Sequence, residues 1–187
     1  MSPRRPPSPR RAVHALVLLP LLAALAGCGP GRDEFAPSCP LARPLAAAHR
    51  LERYRHPAAG APDVADPADL EASGLVLGVD GKCRPVAGGS ALEATMRVRM
   101  QLERGPAATS DNLDVPYFIA VAQGSRILTK QVFSTHVAFP SGNNRVQMTS
   151  APIAIRLPLA AKTTGADYTI WVGFQLTEAE YRAAQAH

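Results

Sequence analysis

The sequence predicts an all-β domain, an antiparallel β-sandwich with a short C-terminal helix. Three observations lead there. Leu92, Ala94, Met96, Val98, Met100 and Leu102 alternate with Glu93, Thr95, Arg97, Arg99, Gln101 and Glu103, so one face of this segment is apolar and the other polar or charged. A strand, with its period of two, sorts side chains in that way, and a helix does not. The apolar runs between residues 72 and 176, about seven or eight of them, are short and separated by turn-forming residues, as in a sandwich. Finally, 187 residues that are 47% hydrophobic and 19% charged suit one globular domain with a single core. The connections are expected to be immunoglobulin-like, with a small barrel as the other architecture, and no internal repeat stands out.

The first residues read as an address. Residues 1–11 hold Arg4, Arg5, Arg10 and Arg11 without an acid, and Ala12–Ala26 is apolar apart from His14 and the break at Pro20. As a helix this stretch rises about 22 Å, short of the roughly 30 Å hydrocarbon core of a bilayer. A basic start, a short apolar stretch and small residues at its end make a secretory signal, not a membrane span. No later segment has the roughly eighteen uncharged apolar residues that a spanning helix needs, which excludes a multi-pass membrane protein. The Arg10-Arg11 pair is followed by Ala-Val-His and fits a twin-arginine signal poorly.

The apolar stretch ends in Leu25-Ala26-Gly27-Cys28, which resembles the lipobox of bacterial lipoproteins. That resemblance implies cleavage before Cys28, diacylation of its sulfur, acylation of its amino group and stable attachment to a membrane, since more than one chain is inserted. Gly29 in place of an Asp implies sorting to the outer membrane, on its periplasmic side. The expected organisation is a signal peptide over residues 1–27, a lipid-anchored tether over 28–38 and the β-sandwich domain over 39–187. Cleavage also changes the charge. The whole chain carries +5, but loss of the four leader arginines leaves 16 basic against 15 acidic residues. The mature chain shows no basic patch, and nucleic acid is excluded as a partner.

With Cys28 given to lipid, Cys39 and Cys83 remain as an even pair in an oxidising compartment, and a structural disulfide is expected. Two free thiols or a redox pair are the rival readings, although the spacing is not Cys-x-x-Cys. Residues 41–55 are ambiguous between a helix, which Pro44 opposes, and an edge strand. Residues 57–70 are loop by composition. Ala72–Val79 and Lys82–Val86 flank Asp80-Gly81 and read as a hairpin. The alternating strand Leu92–Glu103 follows, then a loop over 105–114. Val115–Ala122 is a continuous apolar run, expected as a strand buried on both sides. Ile127–Phe139 holds one long strand or two, and Val146–Met148 and Ile153–Leu157 are shorter strands. A last strand carries Tyr168, Ile170, Val172, Phe174 and Leu176 on one face and Trp171 on the other. Thr177-Glu178-Ala179-Glu180 has the capping-box pattern that opens a helix to about Ala186.

Chemistry-bearing motifs are scarce. His49, His56, His136 and His187 lie at no metal-ligand spacing, so no metal or cofactor is expected. Gly88-Gly89-Ser90-Ala91 lacks the second glycine of a nucleophile elbow and reads as a loop. Asp111, Asn112 and Asp114 lack the Gly and terminal Glu of a calcium loop, and Asp63, Asp66 and Asp69 read as a solvated polar loop. Phosphate-binding loops are missing, and no catalytic residue is expected. Two features offer a binding surface: Arg97 and Arg99 on the charged face of their strand, and Trp171, an interface anchor if exposed and core if packed beneath the C-terminal helix.

From about Cys39 onward the chain also resembles hypothetical lipoproteins of Gram-negative bacteria. The resemblance is carried by Arg104-Gly105-Pro106-Ala107-Ala108, Val115-Pro116-Tyr117-Phe118, Ile127-Leu128-Thr129-Lys130 and Gly173-Phe174-Gln175-Leu176-Thr177. It brings no activity and no site with it. The functional expectation is a lipid-anchored envelope lipoprotein, not an enzyme, that binds an envelope protein or cell-wall component. The alternative is an envelope hydrolase or small-ligand carrier whose site assembles only in three dimensions. A cleft holding His136 with an acid and a hydroxyl favours the enzyme, and an exposed edge strand or aromatic patch favours the binder.

Overall fold

The computed structural model describes residues 39–55 and 66–185. The leader, Cys28 and the tether lie outside them, as do His56, Asp63 and His187. The strands are β1 (Leu41–Pro44), β2 (Arg50–Tyr54), β3 (Leu70–Val86), β4 (Ala91–Arg104), β5 (Asn112–Gln123), β6 (Arg126–Ala138), β7 (Arg145–Thr149), β8 (Ile153–Pro158) and β9 (Tyr168–Phe174). One helix, α1 (Glu178–Gln185), follows. One sheet has the order β1-β9-β5-β6. The other has the order β2-β3-β4, with β7 beside Arg99–Glu103 and β8 beside Ala91–Met96 on the far side of β4. All pairings are antiparallel except β1 with β9, which is parallel.

The alternation read from the sequence builds the core. Met96, Val98, Met100 and Leu102 of β4 face Val115, Ile119 and Val121 of β5 and Ile170, Val172 and Phe174 of β9, all buried in one cluster between the sheets. β5 lies between β9 and β6, and its residues from Tyr117 to Ala122 are all buried, so the continuous apolar run is indeed covered on both faces. The connections are not those of an immunoglobulin constant domain, whose first, second, fifth and fourth strands share a sheet. Here β2, β3 and β4 form a meander of consecutive strands.

Asp80-Gly81 does not turn. β3 runs straight through it, with Asp80 opposite Arg97 and Gly81 opposite Met96. Gly81 is buried, and the positive φ angles fall later, at Ala87, Gly88 and Gly89, where the chain reverses into β4. A cross-strand bond from Arg99 Nε to Asp80 Oδ2, 2.5 Å long, uses the aspartate in the ladder instead. The ambiguous segment 41–55 is β1, a single 3-10 turn over Ala46–Ala48, and β2. Ile127–Phe139 is one strand to Ala138.

Cys39 and Cys83 form the expected disulfide across 44 residues, with their Cα atoms 5.9 Å apart. It ties the chain just before β1 to β3 in the opposite sheet. At the other end, the Glu180 backbone N–H donates to Thr177 Oγ1 (3.2 Å) and the Thr177 N–H to Glu180 Oε2 (2.8 Å), the reciprocal bonds of a capping box. Arg53 Nε of β2 donates to the other oxygen of Glu180 at 2.8 Å. Glu180 is buried, and the bond seats α1 against β2.

Candidate interaction edge

β6 starts from a two-residue turn, Gly124-Ser125, in which Gly124 has φ +58°. Gly at the first central position supplies the positive φ that primed hairpin turns require. From there β6 pairs with β5 alone among the described residues, and none of them pairs with its other edge. Its two halves differ. In the second half, Phe133 stacks on Tyr117, with ring centroids 5.6 Å apart, and Val137 is buried in the core. β7 stands across from it there, the Thr135 hydroxyl lying 4.0 Å from the Met148 sulfur. In the first half, every residue from Arg126 to Val132 is exposed. Thr129 and Gln131 share the inward register of Phe133, yet the second sheet does not cover them.

Ile127 is 65% exposed, Val132 55% and Leu128 39%. Leu128 is the extra residue of a β-bulge, since Ile127 pairs with Ala122 and Thr129 with Val121. Ile127 and Val132 point to the outer face of the first sheet. Across that face a single register row runs Arg43, Trp171, Ala120, Lys130. The Arg43 guanidinium lies 4.4 Å from the Trp171 ring and the Lys130 ammonium 4.5 Å from the Phe118 ring. Leu45, Ala48 and Leu176 complete a small apolar cluster with Phe118, Ala120 and Trp171. Leu41, 54% exposed, lies in the neighbouring row with Ile127. The result is an apolar floor crossed by two cations.

The residues singled out in the sequence do not converge. Trp171 is half-buried on the outer face of the first sheet under Arg43, whereas Arg97 and Arg99 point outward from the second sheet, on the opposite side of the sandwich. That second outer face is a ladder of internal pairs. Arg84 bonds Glu93 (2.6 Å), Arg99 bonds Asp80, Arg145 bonds Glu103 (2.7 Å) and Gln147 bonds Gln101 (3.0 Å). Arg99 is thus engaged, and Arg97 forms no ion pair among the described residues.

His136 Nδ1 is 2.8 Å from Asp114 Oδ1, but both side chains are exposed on an open sheet surface, and among the described residues no hydroxyl bonds the ring. The groove nearby, about 280 Å³, is lined by Arg53, Glu71, Arg104 and Asp114, among others, and His136 is not part of it. Its arginines are committed, Arg53 to Glu180 and Arg104 to Asp111 and Asn144. Among the described residues no group of three His, Cys, Asp or Glu is arranged to hold a metal ion. Two tyrosines are displaced from the ordinary phenol range. Burial pushes Tyr117 up, opposed by a hydrogen bond with Ser150, and burial, then the Glu52 carboxylate, push Tyr54 up.

No family model matches the chain, and comparison with curated proteins and with solved structures gives no match either. The functional reading therefore rests on the geometry of this chain.

Proposed function

We propose that this protein is a lipid-anchored lipoprotein of the bacterial cell envelope, held on the periplasmic side of the outer membrane, that acts by binding and not by catalysis. The observation that carries the reading is β6: a long edge strand with no second partner strand among the described residues, whose first half exposes Ile127, Leu128 and Val132. A bare edge of that length is a template for another chain. The leader ending in Leu25-Ala26-Gly27-Cys28 supports the anchor, and the Cys39–Cys83 disulfide supports an oxidising compartment. The hydrolase alternative draws on the His136–Asp114 pair alone, whose exposed position gives a substrate no walls.

The test is cross-linking and affinity recovery of the lipidated protein from its own envelope, beside a Cys28→Ala variant. Consistent recovery of one envelope protein, lost in the variant, supports an anchored binding module. Recovery of nothing above background refutes it.

A further inference from the structure

The free edge of β6 meets the cationic outer face of the first sheet at Arg126–Val132. We propose that this segment takes up an added strand: an extended, apolar–acidic stretch of another protein that pairs with its outward backbone groups. The inference rests on the binding reading above and gives its partner a chemistry. Alternate N–H and C=O groups of an edge strand point away from the sheet and are satisfied there by water or by a partner strand. Seven residues of extended chain offer about 23 Å of such edge. Strand addition of this kind draws affinity from main-chain bonds and specificity from alternating side chains.

Charge selects the partner. β6 contains Arg126, Lys130 and His136 and no acid, and the one acid in the four strands of its sheet, Asp114, is at the far end with His136. A partner residue lying beside Lys130 on the outer face therefore meets a cation, and its neighbours two positions away meet Ile127 and Val132. The fitting pattern is apolar–acidic–apolar on that face, with polar residues between, beside Thr129 and Gln131. A second copy of this chain fits poorly, because antiparallel self-pairing brings Arg126 and Lys130 of both copies to one seam with no acid to offset them. The bulge at Leu128 and the charge at Lys130 are also the devices that deter indiscriminate edge pairing.

The probe is a blocked peptide alternating valine and threonine around a central glutamate, compared with the same peptide carrying lysine at the centre. With the full chain, the glutamate peptide is expected to slow backbone amide exchange within residues 126–132. It is expected to bind about tenfold more tightly than the lysine peptide, the effect of replacing a like charge by an opposite one. Lys130→Glu is expected to reverse that preference and, through loss of the contact with the Phe118 ring, to lower the melting temperature by no more than a few degrees. Protection by neither peptide overturns the proposal, as does equal binding of both. Protection of the same amides in the protein alone, rising with its concentration, assigns the edge to a second copy instead. Protection by anionic vesicles but not by peptide assigns it to a membrane surface. If envelope cross-linking recovers a partner that contacts the protein away from β6, strand addition fails while the binding reading stands.

Discussion

The two edges of the first sheet are built in opposite ways. β1 is four residues long, ends in Pro44, pairs in parallel with β9 and is fixed to the other sheet through the disulfide at Cys39. β6 is thirteen residues long, and nothing among the described residues pairs with its outer side. The second sheet repeats the closed pattern. Its β2 edge is short and covered by α1, and its far edge is broken between β7 and β8 at Ser150-Ala151-Pro152. At that break the Ser150 hydroxyl accepts from the Val98 N–H (3.0 Å), so the ladder is bridged by a side chain. Beyond β2, residues 77–86 of β3 also have no second partner strand among the described residues, but Lys82, Arg84, Pro85 and the disulfide at Cys83 blunt that stretch, whereas β6 presents Ile127, Leu128 and Val132. An unpaired edge in such company is better explained by use than by neglect.

The comparison can be broken most forcefully at the closed edge. Replacing Cys83 by Ser opens the 44-residue loop and is expected to cost about 4 kcal/mol in the chain-entropy account, read as a lower denaturant midpoint that a reductant no longer changes. A midpoint equal to that of the unreduced parent would show that β1 needs no staple. Next in size is Glu180→Ala, which removes half of the capping box and the partner of Arg53. A loss of about 2 kcal/mol, with α1 amides exchanging faster than those of β2, is the expected result.

Smaller effects separate the two halves of β6. Burial raises the phenol of Tyr117, which stacks on Phe133 in the anchored half. The folded protein therefore keeps this proton after the unfolded chain has lost it near pH 10. Its contribution is intact below about pH 10 and declines as the pH rises further, so Tyr117→Phe should flatten the alkaline fall in melting temperature. In the free half, Ile127→Thr and Val132→Thr should each change stability by less than about 0.5 kcal/mol, since both side chains are exposed. If either costs more, these residues serve the fold and not a partner.

Where a segment is buried on one side, its sequence announces it. The six apolar residues from Leu92 to Leu102 report a face pressed against another sheet, and the expected strand agrees with β4 to within a residue at each end. Thr177 and Glu180 show the helix start through the chemistry of its cap. Asp80-Gly81 misled because its turn preference is local and weak, and the long register of β3 with β4, bonded through Arg99, overrode it. The real turns used Ala87-Gly88-Gly89 and Gly124-Ser125. The interaction edge was not legible. Ile127, Leu128 and Val132 have the composition of core strand, and only the strand order reveals that no neighbour covers them. Trp171 was legible as the odd residue of its strand, but the guanidinium above it comes from β1, far away in the chain.

The bond between Cys39 and Cys83 has a mechanical meaning. A pull on the chain ahead of Cys39 does not reach the domain through β1 alone, which a few parallel backbone bonds hold to β9. It divides at the sulfur atoms, and part of the load passes into β3, paired along nearly its whole length with β4. The domain is thus gripped by both layers at Cys39, and tension applied there draws on the longest ladder among the described strands before the shortest can peel.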